Sequence, residues 1–176
     1  MTWKSHIAIA TAVTLPFNAE LIPIAAAGAT APDWIEWILK FFGIHCQHRK
    51  ETHYLIIPLA IIALSFLIDY RNILFWFGIG YLTHWVADSL TISGVPLTPW
   101  DNRKIHFFGG ALRTGEPKEY VYSFGLLAIS VFLFKPTLAS FTGENSFNPY
   151  NVNFKHLYEQ KIIDEKEYYD NRFRFF

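Results

Sequence analysis

The sequence predicts an all-α, membrane-embedded helical bundle with a broken N-terminal helical hairpin, about three spanning helices and a short helical C-terminal tail. Three observations carry that expectation. Hydrophobic residues make up 52% of the 176 and charged residues 17%, against about 25% charged in an average soluble domain. Four apolar runs cover residues 7–29, 54–68, 73–92 and 120–134. Finally, His6, Asp33, His48, His53, His84 and Asp88 sit inside or beside those runs, where an ionisable group is costly unless it is paired or bound to a metal.

The first run is interrupted by Pro16, Asn18, Glu20 and Pro23. Proline breaks helical hydrogen bonding, so residues 4–15 and 19–29 are expected as two short antiparallel helices. A straight helix would carry His6 about 30 Å from the far end of the run; a hairpin returns it towards Asp33. Lys4 and the small residues at 27–31 also outline a cleavable secretory signal. The polar break falls too early for one, and cleavage would discard His6. Pro32 and Asp33 are ordinary helix N-terminal residues. Trp34, Trp37, Ile38, Phe41 and Phe42 then form an apolar face, suited to packing or to an interfacial helix, that ends at Gly43.

The second run stops at Asp69 and Arg71, and the fourth lies between Lys118 and Lys135. Both are short for a bilayer core of about 30 Å and would span only with snorkelling flanks or local thinning. The third run is long enough to span at roughly 20 residues, with Trp76, Tyr81 and Trp85 as interface anchors. Glycines and prolines between residues 91 and 120 forbid a long helix there. Residues 1–135 therefore read as one membrane-embedded domain, 136–153 as a polar linker and 154–176 as a helical tail. In the tail, Asp164 and Glu167 fit a helix N-cap and its reciprocal acid. Leu157, Ile162, Ile163, Tyr168 and Tyr169 suit docking to a protein partner or a homo-oligomer.

Fifteen basic and fifteen acidic residues leave no net charge, so no nucleic-acid partner is expected. Cys46 is the single cysteine, which excludes an intramolecular disulfide. His84 and Asp88 stand at i and i+4 on one helical face, a spacing that lets an imidazole and a carboxylate reach one cation. The segment H-C-Q-H-R-K-E-T-H at 45–53 is dense in potential ligands but lacks the paired cysteines of a structural zinc site. Arg103, Lys104, His106 and Arg113 can bind an anionic group, or simply be the charges of a solvated turn.

Five motifs in order, S-H-I-A-I-A, A-A-G-A-T-A-P-D, H-R-K-E-T-H, G-Y-L-T-H-W-V-A-D-S-L-T-I-S-G-V-P-L and F-F-G-G-A-L-R-T-G-E-P-K-E-Y, resemble the YdjM-like family. The resemblance spans roughly residues 1–135. It implies a LexA-regulated metal-dependent hydrolase, integral to the bacterial inner membrane and distantly similar to zinc-dependent phospholipase C. In those enzymes an H-x-x-x-D pair supplies metal ligands, and His84 and Asp88 match it; Asp33, His53 and His6 would complete the set. The chain departs from the family in reading P-D-W-I-E where P-D-x-D is common, and it has no obvious downstream histidine and glutamate for a further zinc. One or two divalent ions, zinc first, are therefore expected. Under this reading His53, His84 and Asp88 hold the principal ion, with Asp33 as ligand or bridge and His6 on the second. Glu36 or His48 would act as general base or orienter, and Arg49 or Arg113 would clamp a phosphate. The expected reaction is hydrolysis of a phosphoester in a lipid-like substrate drawn from membrane lipids. The alternatives are a membrane adaptor or assembly protein with a structural metal site, and a small transporter. Against the transporter, the runs at 54–68 and 120–134 offer almost no polar residues.

Overall fold

The computed structural model describes residues 1–44, 49–69, 72–101, 103–134 and 157–171. Helix α1 covers Trp3–Thr14. The chain then turns through Pro16 and Phe17 to Asn18, whose side chain accepts from Glu20 N at 3.0 Å and starts a 3-10 turn at Ala19–Leu21. Helix α2 covers Ile22–Phe41, with Pro23 in its first turn, where no backbone N–H is needed. α1 and α2 pack against each other, as a hairpin broken at Pro16 requires. The expected second break is absent, because α2 continues through Pro32. That residue forfeits one bond to the Gly28 carbonyl, and packing of α2 along α4, the most extensive helix contact in the fold, holds the helix together across the gap.

A 3-10 turn at Glu51–His53 leads into helix α3, Ile56–Ile68, and then α4, Ile73–Ser89. The Asp69 carboxylate accepts from Ile73 N at 3.0 Å and Phe75 N at 2.8 Å, satisfying donors that the first turn of α4 leaves open. After α4 the chain forms a two-stranded antiparallel pair, β1 at Val95–Pro96 and β2 at Lys104–Ile105, so the fold is mostly helical but not purely so. Helix α5 covers Pro117–Leu133, and a short α6 covers Glu165–Asn171. The Asp164 carboxylate accepts from Glu167 N at 2.6 Å, the N-cap expected there. Lys161 takes a positive φ of 57°, a conformation more usual for glycine. The expected linker at 136–153 lies outside the described residues.

Small residues hold the helices together. The buried apolar side chains include Ala8, Ala10, Ala12, Ala25, Ala29, Ala31 and Ala87. A Cβ on Gly80 would stand 1.9 Å from the Ala25 carbonyl oxygen, and one on Gly28 would stand 2.0 Å from that of Phe77. The backbones of α2 and α4 therefore touch where glycine permits it. α1 and α5 run parallel, stitched by Ser123 Oγ to Ser5 Oγ at 3.2 Å and by Ser130 Oγ donating to the Ala12 carbonyl at 2.8 Å.

The membrane-embedded bundle with three spanning helices is corrected by these lengths. Among the described residues no helix is long and apolar enough to cross a membrane. α4 and α5 have 17 residues each and α3 has 13, about 25 and 20 Å at 1.5 Å per residue, against a core of about 30 Å. The 20 residues of α2 include Pro32, Asp33, Glu36 and Lys40. The apolar run at 73–92 outlasts the helix it makes, because the chain leaves the helical path at Leu90 and turns at Gly94, φ 60°, into β1.

Candidate metal centre

Four separate segments bring imidazoles and carboxylates to one buried point. α1 supplies His6, α2 supplies Asp33, the turn before α3 supplies His53, and α4 supplies His84 and Asp88. His6, His53, His84 and Asp88 are each 1% exposed, and Asp33 is partly open. The His6 and His84 rings stack with centroids 3.8 Å apart, and His53 meets His84 edge-on at 4.9 Å. His6 Nε2 lies 3.4 Å from Asp88 Oδ1, His84 Nε2 lies 3.6 Å from Asp88 Oδ2, and His53 Nε2 lies 3.5 Å from Asp33 Oδ1. Two sets, His6–Asp33–His84 and His53–His84–Asp88, each place one ligand atom per residue within 4.8 Å of the others.

Two of the three rings are aimed by bonds on their outer edges. His84 Nδ1 is 2.7 Å from the Ala29 carbonyl oxygen. A carbonyl only accepts, so the proton sits on Nδ1 and, in the neutral ring, the Nε2 lone pair faces the centre. His53 Nδ1 contacts Thr52 Oγ1 at 2.9 Å, and the Thr52 carbonyl accepts from the Tyr81 hydroxyl. Tyr81 thus fixes the turn that carries His53, while burial pushes its own phenol upward. Both nitrogens of His6 and Nε2 of His84 are buried without a hydrogen-bond partner among the described residues. An orphaned buried imidazole nitrogen is costly, and a cation is the partner that would satisfy several at once.

The protonation states agree with that chemistry. Burial, reinforced by the neighbouring His84, pushes His6 down to about 3, and burial likewise lowers His53. Burial alone would raise Asp33, but the hydrogen bond with His53 and the adjacent imidazoles outweigh it and hold the carboxyl down to about 2. Asp88 also sits well below the usual carboxylate range, with contacts to His6 and His84 overcoming its burial. At neutral pH the centre therefore presents neutral His6 and His53 with two ionised carboxylates. Nitrogen and carboxylate donors of this kind suit zinc and similar divalent ions.

Arg49 also reaches the cluster. Its Nε is 3.3 Å from Asp88 Oδ2, and its other nitrogens contact Thr91 and Thr114 hydroxyls, each at 3.2 Å. The amino nitrogen of Met1 contacts Asp88 Oδ1. Glu36 is buried on α2, ion-pairs with Lys40 and belongs to neither ligand set. Arg113 stands exposed before α5, and His48 lies outside the described residues. Thr52 and the Ala29 carbonyl escape the sequence reading, and Tyr81, expected there as an interface anchor, is instead buried with its hydroxyl on the Thr52 carbonyl. Thr52 adjoins His53 and Tyr81 precedes His84 by three positions, which are usable signals; a backbone carbonyl leaves none.

The fold and its centre define a mostly helical protein with a buried histidine–aspartate cluster of ligand type. The chain belongs to the YdjM inner membrane protein family, whose model matches residues 1–146. No curated protein and no solved structure matches it.

Proposed function

We propose that this chain is a metal-dependent hydrolase working at the inner membrane, with a phosphoester of a lipid-like molecule as its substrate class. The observation that carries the reading is the convergence of three buried imidazoles, with both nitrogens of His6 and the inner nitrogen of the outwardly anchored His84 lacking a hydrogen-bond partner among the described residues. His53, His84 and Asp88 would hold the principal ion, with Asp33 and His6 completing or sharing the set. Such an ion supplies Lewis acidity and acidifies water, the usual basis of metal-assisted hydrolysis. The chain's own groups do the rest. Tyr81 and Thr52 orient His53, the Ala29 carbonyl fixes the His84 tautomer, and Arg49 offers a guanidinium beside Asp88 for a phosphate oxygen. Asp33 is the most open of the five ligand candidates.

The burial of the other four ligand candidates favours a second reading, a closed structural ion in an adaptor or assembly protein. One experiment separates the two. Purified protein should carry about one or two equivalents of zinc or a similar ion, mostly lost in His84→Ala. It should also turn over a phosphodiester, phosphomonoester or phospholipid in a chelator-sensitive way while its helices stay folded. Metal-free wild type ends both readings. A bound ion with no turnover and no anion binding, whose removal melts the helices, leaves only the structural one.

A further inference from the structure

Beyond the ligand cluster, α4 and α5 do not close on one another, and α1 floors the gap between them. The resulting groove has a volume of about 780 Å³, within the range of sites that enclose a small molecule. Ile9 and Val13 line its floor, Ile79, Leu82 and Val86 one wall, and Leu126 the other. No lining residue carries a charged side chain. Of the hydroxyls present, that of Thr83 donates to the Gly80 carbonyl at 2.7 Å, that of Ser123 is shared between the Glu119 carbonyl at 2.9 Å and Ser5 Oγ at 3.2 Å, and that of Tyr122 belongs to a largely exposed side chain. The walls therefore offer mostly contact area and little polar recognition. A sugar, a nucleotide or a peptide backbone would lose its hydrogen bonds there. A hydrocarbon chain would lose nothing.

Two further observations point to an occupant. The groove ends on Met1, Ala87, Leu90 and Leu112; the Met1 amino nitrogen contacts Asp88 and Arg49 holds the hydroxyls of Thr91 and Thr114, so this end abuts the ligand cluster and its guanidinium. Along α4 the lining runs from Ile79 to Leu90, about 16 Å at 1.5 Å per residue, the reach of a medium-length fatty chain. At the rim, Phe108 holds a left-handed backbone, φ 50° and ψ 34°, with its side chain 89% exposed. A bulky residue in that region is an outlier of the kind found around ligand sites.

We propose that this groove seats the single hydrocarbon chain of an amphiphile whose phosphate lies at Arg49. The inference rests on the hydrolase reading for the identity of the headgroup, and on the groove alone for the chain. The test is binding, read apart from turnover. Butyl, hexyl, octyl and decyl phosphate, each below its micellar threshold, are titrated calorimetrically into zinc-loaded full-length protein, with inorganic phosphate as the headgroup arm. Affinity should rise about fourfold for each methylene buried. Leu126→Trp, which fills the groove from a half-exposed position, should flatten that rise while leaving inorganic phosphate binding unchanged. Leu126→Ala should keep the rise.

An affinity independent of chain length, or a rise that survives Leu126→Trp, overturns the proposal. So does a dimer that Leu126→Trp dissociates, which would make the groove a self-association surface. So does displacement of decyl phosphate by a peptide of residues 135–156, which would make the chain's own segment the occupant. Chain-length-dependent binding with no hydrolysis of any alkyl phosphoester would instead uphold the groove and bring down the hydrolase reading.

Discussion

Gly80→Ala should damage the centre without touching a ligand. The new methyl would sit 1.9 Å from the Ala25 carbonyl oxygen, so α2 and α4 must part locally by about 1.5 Å to restore ordinary contact. One turn further along each helix, Ala29 and His84 share the 2.7 Å bond that sets the imidazole tautomer. The same displacement stretches it to about 4.2 Å, beyond the ~3.2 Å limit of a real N–H···O bond. Overpacking costs about 1–3 kcal/mol, and a buried donor left unpaired costs about 1–3 more. The variant should therefore lose roughly 2–6 kcal/mol in urea unfolding, together with most of its affinity for zinc. Gly125→Ala on α5 is the control. A Cβ there meets nothing within 4 Å, so the change should stabilise by about 0.5–1 kcal/mol. A Gly80→Ala protein with wild-type midpoint and wild-type metal affinity would refute the argument that α2–α4 contact sets the ligand geometry.

Two further outcomes follow from the charges. His6 is held at about 3 in the fold against 6.5 in the unfolded chain, so the unfolded state takes up the proton first, and metal-free protein should lose stability as pH falls from about 6.5 towards 3. At pH 5 the His6 share is about 2 kcal/mol at ~1.4 kcal/mol per unit; a His6→Gln protein with the same urea-midpoint loss between pH 7 and 5 would contradict it. Glu119 is fully buried and accepts from Thr2 N at 2.6 Å, Thr2 Oγ1 at 2.8 Å and Gly115 N at 2.7 Å, so Glu119→Ala should cost about 2–4 kcal/mol by stranding these donors and should weaken metal binding by loosening the start of α1, both measurable by unfolding and metal titration.

Much of this architecture was legible from residue type and spacing. Proline and polar residues at 16–20 announce a chain reversal, and the H-x-x-x-D spacing puts His84 and Asp88 on one face whatever surrounds them. Mean apolarity, however, does not set helix length. The run at 73–92 looks long enough to span, yet its last residues are drawn off the helix towards a β pair whose partner, Lys104–Ile105, lies beyond a loop. Pro32 reads as a helix start because local chemistry favours it there, whereas in the fold α2, packed on both α1 and α4, runs on through it. The anchors of the centre divide in the same way. Thr52 and Tyr81 sit near ligands in sequence, whereas the Ala29 carbonyl becomes an acceptor for His84 only after two helices have docked.

That dependence on docking has a consequence for how the chain is made. The five ligand candidates come from four segments, and only His84 and Asp88 share one. A chain still emerging from the ribosome therefore displays at most a weak, two-point chelate. Under the proposed metal reading, tight capture of a cation would wait until α1, α2 and the turn before α3 have all closed around α4, so that selection of the ion would fall to the finished cavity and the energy of capture would be credited to the native state alone. Premature loading with the wrong metal would then be disfavoured by topology before any difference in ligand preference comes into play.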